Sequence, residues 1–325
     1  MFNMENIIND HIREMKKLIN YLGEDHVIIS IVENGDSKDN TRKYLEEFRY
    51  YLNDRKIVNK FLLDHEINDE RKKNFPYLIY TRLRIEYYSQ LRNKCFEFLY
   101  ELKDIDYNNT MIIFFNDVLF RFEDIINLLS TNNEDYDVAC GLDMSTFFYD
   151  RWVSIDLDGE SMTKYFPSFN NKEGQDLVYN HQPIRVFSCW NGVIAFKASP
   201  LKDKKVKFRN KNDSSVPKIM LKNPVKVYYQ SECTYFNIDL FSLGYTKKLI
   251  NPDVRVTYSN EYLFKSNYFI PSFKHIINYF LSYFVALTKK RNKYMSNYSD
   301  KNITMNQLII KLLEFGLLKE MKNNE

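Results

Sequence analysis

Cysteine and glycine are scarce in this chain of 325 residues, with 4 of the former and 8 of the latter. No two of Cys95, Cys140, Cys189 and Cys233 form a CxxC pair. That spacing excludes the usual zinc-binding signatures. An even count permits two disulfides, but four scattered thiols in a chain this long are expected to be simply buried. The low glycine content accompanies abundant Asn, Lys, Ile and Tyr, a bias of AT-rich coding rather than a structural demand. Charge of one sign is missing too: 46 basic residues face 43 acidic ones, a net charge of +3. Nothing electrostatic therefore points to nucleic acid as the main partner. No apolar run reaches the roughly 18 residues of a membrane-spanning helix. The N-terminal MFNMENIINDHIREMKKLIN lacks a continuous hydrophobic region and reads as an amphipathic helix over 1–22, neither a signal peptide nor an anchor.

What the chain has is apolar residues at 44%, including 25 Tyr and 25 Phe, enough for a sizeable core. Strands are expected at 27–32, 57–63, 111–115, 138–141 and 186–196. Helices are expected at 41–52, 80–102 and 123–129. Strands alternating with helices through the first half predict an α/β fold, a mostly parallel sheet flanked by helices. From 147 onward the pattern is irregular, as in a region that shapes a substrate site, and 203–218 reads as an exposed loop. Two apolar helices, 273–287 and 305–321, predict a C-terminal helical extension over 266–325, packed on a domain spanning 1–265. The first is followed by KKRNK, so 273–294 could make peripheral contact with a membrane surface. Packing on the sheet, with a solvated basic helix end, is the simpler reading.

Five segments could carry chemistry. The loop after the first strand, with Glu33, Asn34, Gly35, Asp36, Ser37, Asp39 and Thr41, sits where open α/β sheets bind nucleotides. It is neither GxGxxG nor a P-loop, and its carboxylates suit ribose hydroxyls or a base edge. A polar turn with a helix cap would carry the same residues. In the long helix, Arg84, Tyr88 and Arg92 share a face by i, i+4 spacing, and two such arginines can clamp a diphosphate. A solvated basic face would look alike. MIIFFNDVLF ends a strand on Asn116 and Asp117, where a carboxylate could meet a divalent cation. The usual motif has two aspartates, and here only Asp117 is acidic. FFYDRWVSIDLDG and VFSCWNGVIAF hold both tryptophans, Trp152 and Trp190, beside polar groups, a composition that suits sugar recognition and equally core packing. Ser231-Glu232 precedes a helix and could simply cap it.

Taken in order, nine blocks resemble one family: ENGDSKDNT (33–41), RIEYYSQLRN (84–93), FFNDVLF (114–120), YDVACGLDM (136–144), YDRWVSIDLDG (149–159), SCWNGVIAF (188–196), FR (208–209), SEC (231–233) and NPDVRVTY (251–258). They are similar to the fungal capsule-associated (cryptococcal) α-1,3-mannosyltransferases, glycosyltransferase family 69. The resemblance covers about 27–258 and implies a retaining glycosyltransferase of GT-A-like, Rossmann-type fold. It would transfer a hexose, mannose from GDP-mannose, to a glycan or other hydroxyl acceptor. By that likeness Glu33, Gly35, Asp39, Arg84, Arg92, Asn93 and Asn116 bind the nucleotide sugar. Asp117 holds Mn²⁺ or Mg²⁺. Asp143, Tyr149, Asp150, Trp152, Trp190 and Asn191 shape the sugar and acceptor site. Glu232 stands near the reacting centre, as general base if the reaction inverts, or stabilising oxocarbenium-like charge or positioning the acceptor if it retains. Two departures stand out, the extra Asp36 in the first block and Ile155-Asp156 where the family has Arg-Asp. Family members are Golgi type II membrane proteins; this chain as written is expected in the cytoplasm, or in the Golgi lumen if an anchor belongs to the natural protein. A non-catalytic sugar- or nucleotide-binding module that kept the fold is the competing expectation.

Overall fold

The computed structural model describes residues 1–35, 37–63, 82–145, 148–163, 166–210 and 230–259. The chain divides into two units, Met1–Tyr279 and Phe280–Glu325. The expected C-terminal extension at 266–325, the membrane contact at 273–294 and the second half of the 203–218 loop lie outside the described residues. Among the described residues no helix is long and apolar enough to cross a membrane.

Helix α1 (Glu5–Leu22) leads into strand β1 (Ile28–Glu33), helix α2 (Thr41–Asp54) and strand β2 (Val58–Leu63). The strands β1 and β2 pair in parallel, Ile28 opposite Val58 through Glu33 opposite Leu63. Helix α3 (Arg82–Glu101), strand β3 (Met111–Phe115), helix α4 (Phe122–Leu129) and strand β4 (Val138–Met144) follow. The second half adds β5 (Ile155–Asp156), α5 (Lys172–Tyr179), β6 (Ile184–Ser188), β7 (Val193–Lys197), α6 (Glu232–Ser242) and β8 (Lys248–Thr257). Six of these strands form one sheet in the order β3-β7-β4-β8-β6-β5.

This sheet is mixed rather than mostly parallel. Only β4 and β8 pair in parallel within it, and the other four pairings are antiparallel. The expected single strand at 186–196 is two strands, broken at Asn191 and Gly192, which take φ of 47° and 76°. Asn and Gly tolerate positive φ most readily, so the chain bends there and carries β7 to the far side of β4 and β8 from β6. A Cβ on Gly192 would lie 2.7 Å from Val256 Cγ2, so glycine is also required by space. In β8, Pro252 has no N–H to give the ladder, and the register with β4 slips between Cys140 and Leu142.

Strand β4 is apolar on both faces because helices cover both. Val138, Cys140 and Leu142 pack with Phe96 and Leu99 of α3 and Phe236 and Leu240 of α6. Ala139 joins the opposite core with Ile8 and Ile12 of α1, Leu45 of α2 and Ile125 of α4. The aromatic surplus concentrates in the first of these cores. Phe208 stacks on Phe236 at 4.7 Å between ring centroids and on Phe96 at 5.6 Å, and Trp190 meets Phe208 edge-on at 5.1 Å. Such pairs add about 0.5–1.5 kcal/mol each beyond area burial.

The expectation of four buried thiols fails at one pair. Cys140 and Cys189 form a disulfide, with Cα atoms 6.2 Å apart, while Cys95 and Cys233 remain free. The bridge ties the middle of β4 to the residue preceding Trp190, so it braces the connection between β6 and β7 beneath the site. It closes a separation of 49 residues. Replacing both cysteines by alanine is expected to lower stability by about 2–4 kcal/mol. Chemical denaturation of the wild type and the double variant, without reductant, measures this. A loss below about 1 kcal/mol would show that the bridge does not constrain the protein.

Candidate active site

One large cavity of about 980 Å³ runs along β1 and β3, and its polar end lies beyond their carboxyl ends. Arg84, Tyr88 and Arg92 of α3 line it, as the i, i+4 spacing requires for one helical face. Asn34, Asn116, Asp117, Tyr149, Asp150, Trp152, Glu232 and Tyr258 complete its polar end.

Arg92 is the centre of that end. Its Nε donates to Glu232 Oε1 at 3.0 Å and its Nη1 to Asn116 Oδ1 at 2.9 Å. The guanidinium lies over the rings of Trp190 at 5.4 Å, Phe114 at 5.8 Å and Phe208 at 5.8 Å. Burial works against its charge, yet the acidic neighbours Cys233, Glu232 and Asp150 outweigh burial, and the pKa is raised. The aromatic cluster thus forms a floor under a permanently charged, oriented cation.

Asn116 and Asp117 are held by backbone from both sides. Asn116 N donates to Gly192 O at 2.8 Å, and Leu119 pairs with Thr257 of β8 through N–H to O contacts of 2.6 and 3.0 Å. Trp190 Nε1 donates to Asn116 Oδ1 at 3.2 Å. Asp117 is half-buried, and its carboxylate has no hydrogen bond among the described residues.

Ser231 caps α6, its Oγ accepting from Thr234 N at 3.3 Å. Glu232 is therefore not the cap. It is the first residue of the helix, where the positive pole favours a carboxylate, and it sits 8% exposed against Arg92. The Cys233 thiol lies 3.7 Å from the same Oε1.

Asp143, fully buried, stands beside the half-buried Asp150. Asp150 N donates to Asp143 Oδ1 at 3.0 Å and the Tyr258 hydroxyl to Asp143 Oδ2 at 3.0 Å. Burial raises both carboxyl pKa values; the charge of Asp150 raises that of Asp143 further, and Arg92 partly offsets the rise at Asp150. Asp143 itself does not line the cavity.

The two tryptophans part company. Trp152 is 46% exposed and Tyr149 61% exposed, both on the cavity wall, where an aromatic face is free to stack. Trp190 and Asn191 are fully buried beneath it. Asn191 Nδ2 donates to Gly141 O at 2.9 Å, and its Oδ1 accepts from the Ser154 hydroxyl. Core packing, the alternative for this segment, is what Trp190 does, because its indole is the partner that orients Asn116.

The first loop also behaves differently from its expected role. Glu33 is fully buried and accepts from Gly35 N at 2.8 Å, Ser37 N at 3.1 Å and Arg42 Nη2 at 3.1 Å. It shapes the loop from within, and of these loop residues Asn34 lines the cavity. Asp39 accepts from Glu5 N at 2.9 Å and Thr41 N at 3.1 Å, joining the starts of α1 and α2. Partial burial opposes its ionisation, and hydrogen bonds from Thr41 and Glu5 override this to lower its pKa. Asn93 pairs with the backbone of Phe208, two contacts of 2.9 Å, and so anchors the segment before Arg209. Tyr258 was not among the residues selected from sequence; it lay inside a quoted block, but its residue type does not signal a site by itself.

Among the described residues no group of three or more His, Cys, Asp or Glu side chains is arranged to hold a metal ion. Among the described carboxylates on the cavity wall, Glu232 is engaged by Arg92, and Asp117 is the one that would be open to a cation. That fits an ion held chiefly by substrate phosphates and water, as Mg²⁺ commonly is, and not an all-protein cage.

The family model described as cryptococcal mannosyltransferase 1 matches residues 1–239. The chain belongs to the cryptococcal mannosyltransferase 1 family. The match runs from α1 through most of α6 and so takes in Arg92, Asp117, Asp150 and Glu232. No curated protein and no solved structure matches the chain. The family name points to glycosyl transfer from a sugar donor to a glycan acceptor.

Proposed function

We propose that this member of the family is a retaining glycosyltransferase of GT-A-like fold that transfers mannose from GDP-mannose to a hydroxyl of a glycan acceptor. The observation that carries the reading is the convergence of Arg84, Arg92, Asp117 and Glu232 on the wall of one cavity at the carboxyl ends of β1 and β3. Asp117 would hold Mn²⁺ or Mg²⁺, which when bound supplies charge neutralisation to the departing diphosphate. Arg84 and Arg92 face the same anion, and preorganised charge of this kind is worth several kcal/mol in a transition state. Trp152 and Tyr149 offer exposed rings to a pyranose, and Asp150 a carboxyl group to its hydroxyls. Glu232 presents one oxygen to Arg92; its other oxygen is available to the reacting centre, where it orients the acceptor or balances developing positive charge.

The second reading, a binding module without catalysis, is favoured by the single carboxylate at Asp117. A donor-hydrolysis and transfer screen over nucleotide sugars separates the two. The enzyme reading expects release of GDP from GDP-mannose, faster with a divalent cation, and turnover of no nucleotide sugar at all would refute it. Within that screen, Glu232→Gln is expected to reduce kcat by about 10²-fold or more while donor KM changes little. Unchanged turnover would reduce Glu232 to a structural partner of Arg92. The Cys140–Cys189 bridge supports a location where disulfides persist, an oxidising lumen rather than the cytoplasm.

A further inference from the structure

Asp143 and Ser154 are both fully buried, and neither lines the cavity. Between them runs the turn that brings Tyr149, Asp150 and Trp152 to the cavity wall. Asp143, next to last in β4, holds the start of this turn. Its backbone oxygen accepts from Tyr149 N at 3.0 Å. Its Oδ1 accepts from Asp150 N at 3.0 Å and its Oδ2 from the Tyr258 hydroxyl at 3.0 Å. The Tyr258 ring lies 5.0 Å from the Tyr149 ring between centroids, so the bond to Tyr258 also backs Tyr149. Aspartate is the shortest side chain that presents two acceptor oxygens, and here each has its donor.

Ser154 holds the end of the turn. Its hydroxyl donates to Asp150 O at 3.0 Å and to Asn191 Oδ1. Asn191 is itself tied to β4, its Nδ2 donating to Gly141 O at 2.9 Å. Val153 adds an apolar anchor in the core that contains Leu142 and Trp190. Both ends of the turn are therefore fixed to β4, and the rings of Tyr149 and Trp152 stand exposed between the anchors. A ring stacks well on a sugar when its plane is set before the ligand arrives; otherwise the cost of ordering it weakens binding.

We propose that Asp143 and Ser154 are positioning residues that hold the Tyr149–Trp152 wall for the acceptor sugar, and so set the affinity for the acceptor rather than for the donor. The proposal rests on the glycosyltransferase reading for its kinetic consequence and on the contacts alone for its structural one. Neither side chain reaches the cavity, so an effect on the acceptor must pass through the turn. Burial disfavours the ionised form of Asp143. An amide of the same shape is therefore expected to serve nearly as well, its oxygen toward Asp150 N and its NH₂ toward the Tyr258 oxygen.

The test compares Asp143→Ala, Asp143→Asn and Ser154→Ala in the full-length chain, with GDP-mannose as donor and methyl α-mannoside as acceptor. KM for the mannoside is expected to rise about 10-fold in the two alanine variants with donor KM within about twofold of the wild type, and Asp143→Asn to recover most of the loss. Transfer is expected to fall about 10-fold more than hydrolysis, in which water is the acceptor. A readout that needs no activity uses the two tryptophans, of which Trp152 is exposed and Trp190 buried. Acrylamide quenching follows Trp152, with Trp152→Phe assigning the quenchable emission. That quenching is expected to rise about twofold in the alanine variants and to stay close to the wild type in Asp143→Asn. If Asp143→Ala does not fold, Ser154→Ala carries both measurements. If the wild type turns over no nucleotide sugar, the glycosyltransferase reading fails; if it hydrolyses the donor without using the mannoside, that reading stands. In both cases the quenching decides whether the two residues hold the turn. Unchanged quenching in the alanine variants would overturn the proposal. Greater quenching with an unchanged mannoside KM, or equal losses of transfer and hydrolysis, would overturn the role in acceptor binding.

Discussion

Asp117→Ala is expected to lower donor hydrolysis and transfer by about 10²–10³-fold while the protein melts within a few degrees of the wild type. The two halves of this expectation come from different observations. The carboxylate lines the cavity and has no hydrogen bond among the described residues, so its removal breaks no internal contact. Its place in space is set by the backbone of its neighbours, Asn116 on Gly192 and Leu119 on Thr257, which alanine leaves intact. The loss should therefore fall on the reaction, with an added weakening of donor binding where a divalent cation is present. Activity assays and thermal melts of the two proteins measure it. A variant that keeps most of its activity would remove Asp117 from the metal role.

Arg92→Met is expected to damage both fold and function. The guanidinium and Glu232 are 17% and 8% exposed, so this ion pair is largely withdrawn from water. Deleting one partner of such a pair leaves the other buried without compensation, which typically costs about 3–5 kcal/mol. The change also deprives Asn116 Oδ1 of one of its two donors. Arg92→Lys keeps the charge but not the flat fork that reaches Glu232 and Asn116 together, so it should recover part of the stability and little of the turnover. Urea denaturation and steady-state kinetics of both variants test this. If Arg92→Met loses less than about 1 kcal/mol, the pair is exposed in solution and the site is more open than described.

The elements that were legible in the sequence are those whose periodicity is unambiguous. The apolar run of β1, the amphipathic pattern of α1 and the 84, 88, 92 spacing of α3 all appear where expected. Sheet pairing was not legible, because what looked like a single apolar strand is two, β6 and β7, which pair with different neighbours on either side of the Asn-Gly turn. The Cys140–Cys189 bridge was hidden for a related reason: two residues 49 apart meet only once that turn is made. Within the site, residue type misled where polar groups serve the scaffold. Glu33, Asp39 and Asn93 are polar residues in plausible blocks, yet each satisfies nearby backbone N–H groups. Trp190 suited sugar recognition and core packing equally in the sequence, and its full burial beneath Arg92 is a packing role that residue type could not foretell. Tyr258 went unselected because its contact with Asp143, 115 residues away, forms only in three dimensions.

The central claim is that this cavity binds a nucleoside diphosphate with a divalent cation at Asp117. Thermal unfolding with GDP or UDP, each with Mn²⁺ and with a chelator, tests it most directly. At about 100 times Kd a bound nucleotide stabilises by about 2.7 kcal/mol, a rise of roughly 5 °C or more for a domain of this size. The expected result is such a rise with GDP and Mn²⁺, a smaller one with UDP or chelator, and loss of the Mn²⁺ increment in Asp117→Ala. No shift with any nucleotide, with or without the cation, would contradict the account.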